Sequence, residues 1–216
     1  MTTAIVGTGR IGGAVARLLV AGGEPVILAA KGTERPRALA SELGPLARAA
    51  SVEEAVSGAG TVVLAVTFGT AQELVPQYAH LLAGKVVIDP TNPIAFDEQG
   101  QLTRLLPDGQ SAGSVLAGLL PPGAHYVKAF GSFLASALAD GANREPKRAA
   151  LIYAAADDAA AKTAEELIRT AGYEPVKAGG VAAAGRIEAG GDLQFNGESV
   201  DPDRARAALA PLRQAG

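Results

Sequence analysis

The sequence contains no cysteine and no tryptophan, and histidine occurs only at His80 and His125. The absence of cysteine excludes disulfide bonds and thiolate metal sites. A metal centre would have to rest on carboxylates, and these do not cluster suitably along the chain, so we expect no metal. A strong charge of one sign is also missing, since 19 basic and 22 acidic residues give a formal net charge of -3. Nucleic acid is therefore not an expected partner.

Long hydrophobic runs are missing as well, although 48% of the 216 residues are hydrophobic. Glycine, proline or a charge interrupts each apolar stretch before the roughly 20 residues that a membrane helix needs. The first residues show no basic segment followed by an apolar region and a cleavage site, so we expect no signal peptide. The sequence thus predicts a cytoplasmic globular protein without a membrane partner.

Glycine is abundant, with 27 residues, and three of them form a G-x-G-x-x-G pattern at Gly7, Gly9 and Gly12. The pattern lies between a predicted strand, TTAIVG, and a helix that we expect to begin near Arg10. In that context Gly7 permits a tight turn, Gly9 lets the backbone approach a pyrophosphate, and Gly12 allows close packing of helix on strand. The free N-H groups of the helix would face the phosphates. A tight turn without a ligand is the alternative.

Apolar strands alternate with helices along most of the chain. The predicted strands are TTAIVG, EPVILAA, LARAA, TVVLAV, KVVIDP, AHYVKAF, AALIYAAA and YEPVKA. Helix signals lie between them, including a Ser51 cap with Glu54 three residues later and a stop at Gly44. Continuous apolar strands separated by helices predict an α/β fold of Rossmann type, doubly wound around a mostly parallel sheet.

Two regions depart from this alternation. We expect an ordered loop with turns over residues 91–110. The tail predicts a turn or hairpin around Gly190-Gly191 and Asn196-Gly197, followed by a helix that begins near Asp201-Pro202.

The residues after the second strand indicate which dinucleotide binds. NAD-specific sites place Asp or Glu there, about 20 residues after the turn, but this sequence has Ala29-Ala30-Lys31. Lys31 and Arg35 could neutralise a 2'-phosphate, and Thr33 could donate a hydrogen bond to it. The pattern favours NADP(H) over NAD(H). The alternative is that these cations form a solvated surface at a helix start.

Groups suited to acid-base catalysis are scarce. We expect His80 and His125 to be surface or packing histidines. Lys128 is a weak catalytic candidate, because a cation at the C-terminal end of a parallel strand points toward the usual ligand crevice. The exposed end of an edge strand is the alternative for Lys128.

Four segments resemble, in their order and spacing, the coenzyme F420-dependent NADP oxidoreductases: VGTGRIGGAVARLL, VVLAVTF, KVVIDPTNP and HYVKAF. The resemblance spans most of residues 3–180. It implies a Rossmann domain with a small C-terminal part, and hydride transfer between NADPH and a deazaflavin held in the cleft between them. Such a reaction joins two cofactors, so the protein mainly orients their rings and need not supply a strong acid or base. We accordingly expect an NADP-binding domain over 1–180 and a small segment, 181–216, that closes the substrate cleft.

The resemblance also implies roles for individual residues. The pyrophosphate turn would be formed by Gly7, Thr8, Gly9, Arg10, Ile11 and Gly12. The residues along the ribose and nicotinamide would be Val66, Thr67 and Phe68. The border with the deazaflavin or other substrate would be formed by Asn92, Pro93, Lys128, Ala129 and Phe130. Ordinary core packing is the alternative for Phe68 and Phe130, and a turn before proline is the alternative for Asn92.

Two departures from the family pattern leave parts of this reading open. Relatives often have Ser-Arg where this chain has Ala30-Lys31, which keeps a cation but loses the bidentate fork. Many continue the KAF strand with Asn-Thr, whereas this chain has Gly131-Ser132, so the second substrate stays open. The alternatives are an NADPH-dependent reductase of an imine, carbonyl or flavin-like acceptor, and a non-catalytic NADP(H)-binding, redox-sensing module. We expect a symmetric homodimer, because a second subunit could complete the cleft.

Overall fold

The structure is a computed structural model that describes residues 2–96, 99, 101–132 and 135–209. Its strands are β1 Thr3–Val6, β2 Val26–Ala29, β3 Ala47–Ala49, β4 Thr61–Leu64, β5 Val86–Asp89, β6 Ile94–Phe96, β7 Leu102–Arg104, β8 His125–Lys128, β9 Ala150–Ala155 and β10 Glu174–Gly179. Its helices are α1 Arg10–Ala21, α2 Glu34–Leu43, α3 Val52–Ser57, α4 Phe68–Gln77, α5 Ala79–Leu82, α6 Ala112–Leu119, α7 Ala135–Asp140, α8 Asp158–Thr170, α9 Ala184–Ile187 and α10 Pro202–Leu209.

Eight strands form one sheet in the order β10-β9-β8-β5-β4-β1-β2-β3. The six strands from β8 to β3 pair in parallel, whereas β9 is antiparallel to β8 and parallel to β10. The chain runs from β1 outward to β2 and β3, then crosses back to β4 and β5 on the other side of β1. This reversal beside β1 is the point where doubly wound folds bind ligands. The predicted Rossmann-type fold with a mostly parallel sheet is confirmed.

The central strands are buried because both faces of the sheet are covered. All four residues of β1 are buried, and successive side chains alternate between two apolar clusters. Ile5 packs in one cluster with residues of α1 and α8, whereas Ala4 and Val6 pack in another with residues of α3 and α4. Burial on both faces explains why these strands appear in the sequence as continuous apolar runs.

The local helix signals are confirmed. Oγ of Ser51 accepts from the Glu54 amide at 3.2 Å, and the Glu54 carboxylate accepts from the Ser51 amide at 2.9 Å, which is a capping box at the start of α3. Gly44, with φ of 79°, follows the end of α2. Pro76 lies in the last turn of α4, which ends at Gln77.

Residues 91–110 differ from the expected loop. Strands β6 and β7 form an antiparallel hairpin in which Ile94 pairs with Arg104. The sequence gives little sign of these strands, because each has three residues and β7 is exposed along its whole length. The short helices α7 and α9 were also not predicted.

The C-terminal segment packs against the outer strands of the sheet. Ile187, Leu193 and Val200 are buried together with Ile152 of β9 and Val176 of β10. The predicted turn at Gly190-Gly191 is present, with the Gly191 amide bonded to the Glu188 carbonyl at 2.8 Å. The turn at Asn196-Gly197 is a short 3-10 helix, and no strand pairing occurs over residues 181–201. The predicted helix at Asp201-Pro202 is α10, and residues 210–216 lie outside the described part of the chain.

Within the described residues, no helix combines the length and apolar character that crossing a membrane requires.

Candidate functional site

The glycine-rich turn joins β1 to α1, and two of its glycines are required by the fold. Gly7 has φ of 100°, and a Cβ there would lie 2.2 Å from the carbonyl oxygen of Ala65. A Cβ on Gly12 would lie 1.9 Å from the carbonyl oxygen of Gly7. Both positions therefore exclude any side chain, as a tight turn with close helix-strand packing demands.

Gly9 is different, because the fold itself does not need a glycine there. Its φ of -76° suits any residue, and a Cβ built on it meets no atom within 4 Å in the described structure. The position opens onto free space in front of α1. A bare backbone at such a place suits the close approach of a ligand rather than of another part of the protein.

The start of α1 offers donors without a protein acceptor. Gly9 supplies no side-chain cap, and no acidic residue stands in the first turn, so the first N-H groups lack side-chain partners among the described residues. Oγ1 of Thr8 is buried and also has no hydrogen-bond partner in the described part of the chain. Thr8 also lines the groove that begins at this turn. The donors fit a diphosphate.

A groove of about 530 Å³ continues from this turn between α1 and α2. It is lined by Thr8, Gly9, Arg10, Gly13, Arg17, Arg35, Ala38, Leu39 and Glu42. Arg17 is engaged by Glu42 through two hydrogen bonds of 2.8 Å. These bonds raise the pKa of Arg17 and lower the pKa of Glu42. Arg10 and Arg35 are exposed and form no ion pair with another described residue, so they leave positive charge for a ligand.

The end of β2 carries the other predicted cation. Lys31, Thr33 and Arg35 are all exposed, and Thr33 precedes α2 without capping it through its hydroxyl. The first acidic residue after β2 is Glu34, which is exposed in the first turn of α2. The structure therefore brings Arg35 to the groove beside the turn. Lys31 does not line that groove, and Thr33 lines a separate groove with Pro36 and Ser51. This arrangement fits a phosphorylated ribose.

The residues after β4 lie on the other side of the turn. Thr67 is exposed, and its hydroxyl accepts from the Thr70 amide at the start of α4. Phe68 is only 4% exposed and packs with Leu116 and Tyr126. Its ring therefore packs in the core. This is the alternative that the sequence left open, and it does not support a contact between the ring and the cofactor. Val66, which is half-buried, and Thr67 remain accessible on this side.

Phe130 follows β8 and is 1% exposed in the main apolar cluster. Its φ of 65° is unusual for a residue other than glycine, and it turns the chain sharply at the end of the strand. Ala129 is also buried. Any contact of these two residues with a ligand would thus involve the loop they shape rather than their side chains.

Asn92 connects three segments of the chain. Its Nδ2 donates to the carbonyl of Gly131 at 2.8 Å, and its Oδ1 accepts from the amide of Ala189 at 2.8 Å. The loop after β5 is thereby fixed to the loop after β8 and to the C-terminal segment. Pro93, next to it, is buried. Asn92 is therefore more than a residue that makes a turn before proline.

Lys128 is 1% exposed, which corrects both expectations for it. It neither reaches an open crevice nor ends an exposed edge strand. Its Nζ lies 3.0 Å from Oδ2 of Asp89 and 3.5 Å from Oε1 of Glu188, and it also donates to the carbonyl of Thr91. The physical reason is charge compensation, because two buried carboxylates need a cation between them.

Asp89 is fully buried and uses both carboxylate oxygens. Oδ1 accepts from the Thr91 amide at 2.7 Å, and Oδ2 accepts from the Tyr126 hydroxyl at 2.7 Å as well as from Lys128. Burial, together with the negative charge of Asp89, raises the pKa of Tyr126 well above its usual value. Tyr126 therefore stays protonated and acts as a donor.

Glu188 is the residue that sequence reasoning missed. It is 1% exposed, and its carboxylate accepts from the amides of Ala112 and Gly113 at 3.0 and 2.9 Å. It therefore caps α6 across a gap of 76 residues in the chain. The one sequence signal was a single acid inside the stretch VAAAGRIEAGG. We call Asp89, Tyr126, Lys128 and Glu188 the buried ionic cluster.

The histidines lie away from this region. His125 is the first residue of β8 and so lies at the N-terminal end of the parallel strands. The glycine-rich turn lies at their C-terminal end. Its Nδ1 lies 2.8 Å from Oδ2 of Asp157 in a partly exposed pair. His80 is exposed. Both are surface residues, as expected, and the described residues contain no group of side chains that could hold a metal ion.

The fold and the glycine-rich turn together define the class of Rossmann dinucleotide-binding proteins. Residues 2–93 match the family model described as "NADP oxidoreductase coenzyme F420-dependent". Over these residues the chain is similar to this family, which confirms the resemblance seen in the sequence for that part of the chain. The predicted class of enzyme, an NADP-dependent oxidoreductase, is the class that the family describes.

Individual proteins are also similar to this chain. The rat protein Metalloreductase STEAP3 is 33% identical over 186 residues, which cover 86% of this chain. The chain spans only 35% of that relative's length. A hypothetical protein, SMa0349 from Sinorhizobium meliloti, has a solved structure with a TM-score of 0.78 and 28% identity, over 88% of this chain and 91% of that one.

A second solved structure, of a candidate F420-dependent NADP-reductase from Arthrobacter sp. FB24, gives a TM-score of 0.71. Its identity is 23%, over 84% of this chain and 86% of that one. At this identity the likeness supports the fold alone.

Proposed function

We propose that this protein transfers hydride between NADPH and a deazaflavin of the coenzyme F420 type. The observation that carries the proposal is Gly9, a position where the fold needs no glycine but where open space, free amides and unpaired cations meet. A turn that served only the fold would require Gly7 and Gly12 but not Gly9. The family match supports NADP as the nucleotide.

The residues of the turn fit the two charged parts of NADP(H). The amides at the start of α1, with the hydroxyl of Thr8, would hold the diphosphate. Lys31, Thr33 and Arg35 would hold the 2'-phosphate, because two cations and a hydroxyl match its charge and acceptors. When bound, the nicotinamide supplies or accepts the hydride.

The acceptor side supports a reaction between two rings. Near the ends of β5 and β8, the acidic and basic side chains of the buried ionic cluster bond to one another and to the backbone. They are at most 2% exposed, so they do not offer a proton to a ligand. Val66, Thr67 and Asn92 would instead orient the rings, and the buried Pro93 would only shape the loop beside them. Such a site suits an acceptor whose own chemistry takes up hydride.

The C-terminal segment provides a second wall. A groove of about 580 Å³ lies between the start of α6, the hairpin and residues 182–191. Arg104 and Arg186 line it, and Ala189 connects its wall to Asn92. This groove would seat the acceptor, with the segment from 181 onward closing the cleft. A symmetric dimer stays a prediction.

Stopped-flow mixing of NADPH with an oxidised deazaflavin tests the proposal. The protein should accelerate the loss of both absorbances together, and should do so much less with NADH. No absorbance change at any protein concentration would contradict the deazaflavin as acceptor.

The similarity to a metalloreductase favours a second candidate function, the NADPH-dependent reduction of a flavin-like acceptor that passes electrons to a metal ion. A metal ion takes single electrons whereas NADPH donates hydride, so a flavin-like acceptor would have to stand between them. Replacing the deazaflavin by an oxidised flavin and a ferric complex in the same experiment distinguishes the two acceptors. Tight NADPH binding without turnover on either acceptor would instead favour the non-catalytic, redox-sensing module.

A further inference from the structure

The buried ionic cluster connects the C-terminal segment to the loop after β5. Glu188 holds Lys128 at 3.5 Å, and Lys128 bonds to the carbonyl of Thr91. The next residue of the segment, Ala189, donates to Oδ1 of Asn92. Glu188 is therefore linked to Thr91 through Lys128, and Ala189 bonds directly to the next residue of the loop, Asn92.

The loop lies where the nicotinamide end of a dinucleotide is expected. Lys31 and Arg35 follow β2, on one side of β1, so the adenosine end lies on that side. The order β2-β1-β4-β5 puts the loop after β5 on the opposite side. A dinucleotide that crosses the turn at Gly9 thus extends its nicotinamide toward Asn92.

The contacts within the cluster make Glu188 hard to replace. Its carboxylate bonds two amides of α6 and faces Lys128, with 1% of the residue exposed. A neutral side chain of the same shape would remove the second negative charge around Lys128. Its amide group would also present N-H donors to the N-H donors of α6. The Lys128 side chain, and with it Thr91, would be expected to shift.

We propose that Glu188 is a positioning residue for the nicotinamide end of NADPH, acting through Lys128 and Ala189 on the Thr91-Asn92 loop. The inference rests on the proposed function, because it presumes that NADPH binds at the glycine-rich turn. Glu188 contacts Lys128 at the end of β8, and β8 is separated from β2, where the adenosine end lies, by β5, β4 and β1. Replacing Glu188 should therefore weaken binding of the nicotinamide half of the dinucleotide and leave binding of the adenosine half unchanged.

The inference is tested by calorimetric titration of Glu188→Gln. One titration uses NADPH, and the other uses 2',5'-ADP, which lacks the nicotinamide. We expect the affinity for NADPH to fall by about tenfold, because the shifted Thr91-Asn92 loop would no longer hold the nicotinamide end, while the affinity for 2',5'-ADP stays unchanged. The fluorescence emission of bound NADPH, which reports the surroundings of the nicotinamide, should move toward that of free NADPH. The matched control is Glu198→Gln, an exposed glutamate of the same segment, which should change neither.

The outcomes are distinguishable. Equal NADPH affinity and emission in Glu188→Gln and the natural protein would overturn the inference but not the proposed function. If the natural protein bound neither ligand, both would fall. Should Glu188→Gln fail to fold, Ala189→Pro removes the amide donor to Asn92, and the backbone of Glu188, with φ of -73° and ψ of 166°, suits a following proline. Unchanged NADPH emission in that variant would likewise overturn the inference.

Discussion

Nζ of Lys128 lies 3.0 Å from Oδ2 of Asp89, and both side chains are buried. The two residues face each other across neighbouring parallel strands, because Asp89 ends β5 and pairs in register with Lys128 at the end of β8. A buried pair of this kind contributes little net stability, but it makes the loss of either partner expensive. The pair therefore fixes how the loops after β5 and β8 lie against each other.

Replacing Lys128 by methionine should destabilise the protein by about 3–5 kcal/mol, because Asp89 and Glu188 would keep buried charges without a cation. Urea unfolding measures the free energy directly. The matched control is Lys162→Met, since Lys162 is exposed on α8, and it should change stability by less than about 0.5 kcal/mol. A Lys128→Met protein as stable as the control would show that the cluster is not charged as described.

The acid sensitivity of the outer sheet should depend on Tyr153. Its hydroxyl donates to Oε1 of Glu165 at 2.7 Å, and this bond lowers the pKa of Glu165 below its usual 4.5. A carboxylate with a lowered pKa stabilises the folded state above its unfolded pKa, and that stability is lost as the pH falls below about 4.5. In Tyr153→Phe the pKa of Glu165 should rise toward its usual value.

Unfolding in urea at about pH 6.5 and about pH 3.5 tests this, since the window follows from the lowered pKa. The difference in stability between the natural protein and Tyr153→Phe should be larger at the higher pH. Tyr78→Phe is the control, because the Tyr78 hydroxyl contacts Gln77 rather than a carboxylate. A difference that grew at the lower pH would have the wrong sign for this account.

Preference for NADPH over NADH should depend on the cations after β2. The double variant Lys31→Ala and Arg35→Ala should lose about tenfold in NADPH affinity, a modest loss because both side chains are exposed and solvent screens their charges. Its NADH affinity should not change. Arg144→Ala removes an exposed arginine outside the glycine-rich turn and the groove beside it, and it should alter neither. Equal losses for both nucleotides in the double variant would remove the 2'-phosphate assignment.

Most of the fold could be predicted because its strands are buried on both faces. Continuous apolar runs such as TVVL of β4 and the local signals at Ser51 and Gly44 indicate where elements begin and end. The hairpin of β6 and β7 escaped prediction because Leu102, Thr103 and Arg104 are all exposed and form no apolar pattern. The local sequence does not indicate that two such short segments pair with each other.

The site was predictable where it depends on neighbours in the chain. The glycine-rich turn needs only residues 7–12 and the flanking elements, and the structure forms it as expected. Lys128 was misjudged because its burial depends on Glu188, which reaches it from the C-terminal segment. Asn92 likewise depends on Ala189, which is 97 residues away. Contacts between residues so far apart in the sequence depend on the packing of the whole chain, so no local sequence pattern predicts them.

The central claim is that Gly9 is glycine for the sake of a ligand. Calorimetric titration of NADPH into the natural protein and into Gly9→Ala tests it, with thermal melting of both as the check on folding. We expect the natural protein to bind NADPH and Gly9→Ala to melt at the same temperature but bind much more weakly, because the added Cβ occupies the space that the diphosphate needs. Absence of binding heat in the natural protein, or equal heats in both, would contradict the account.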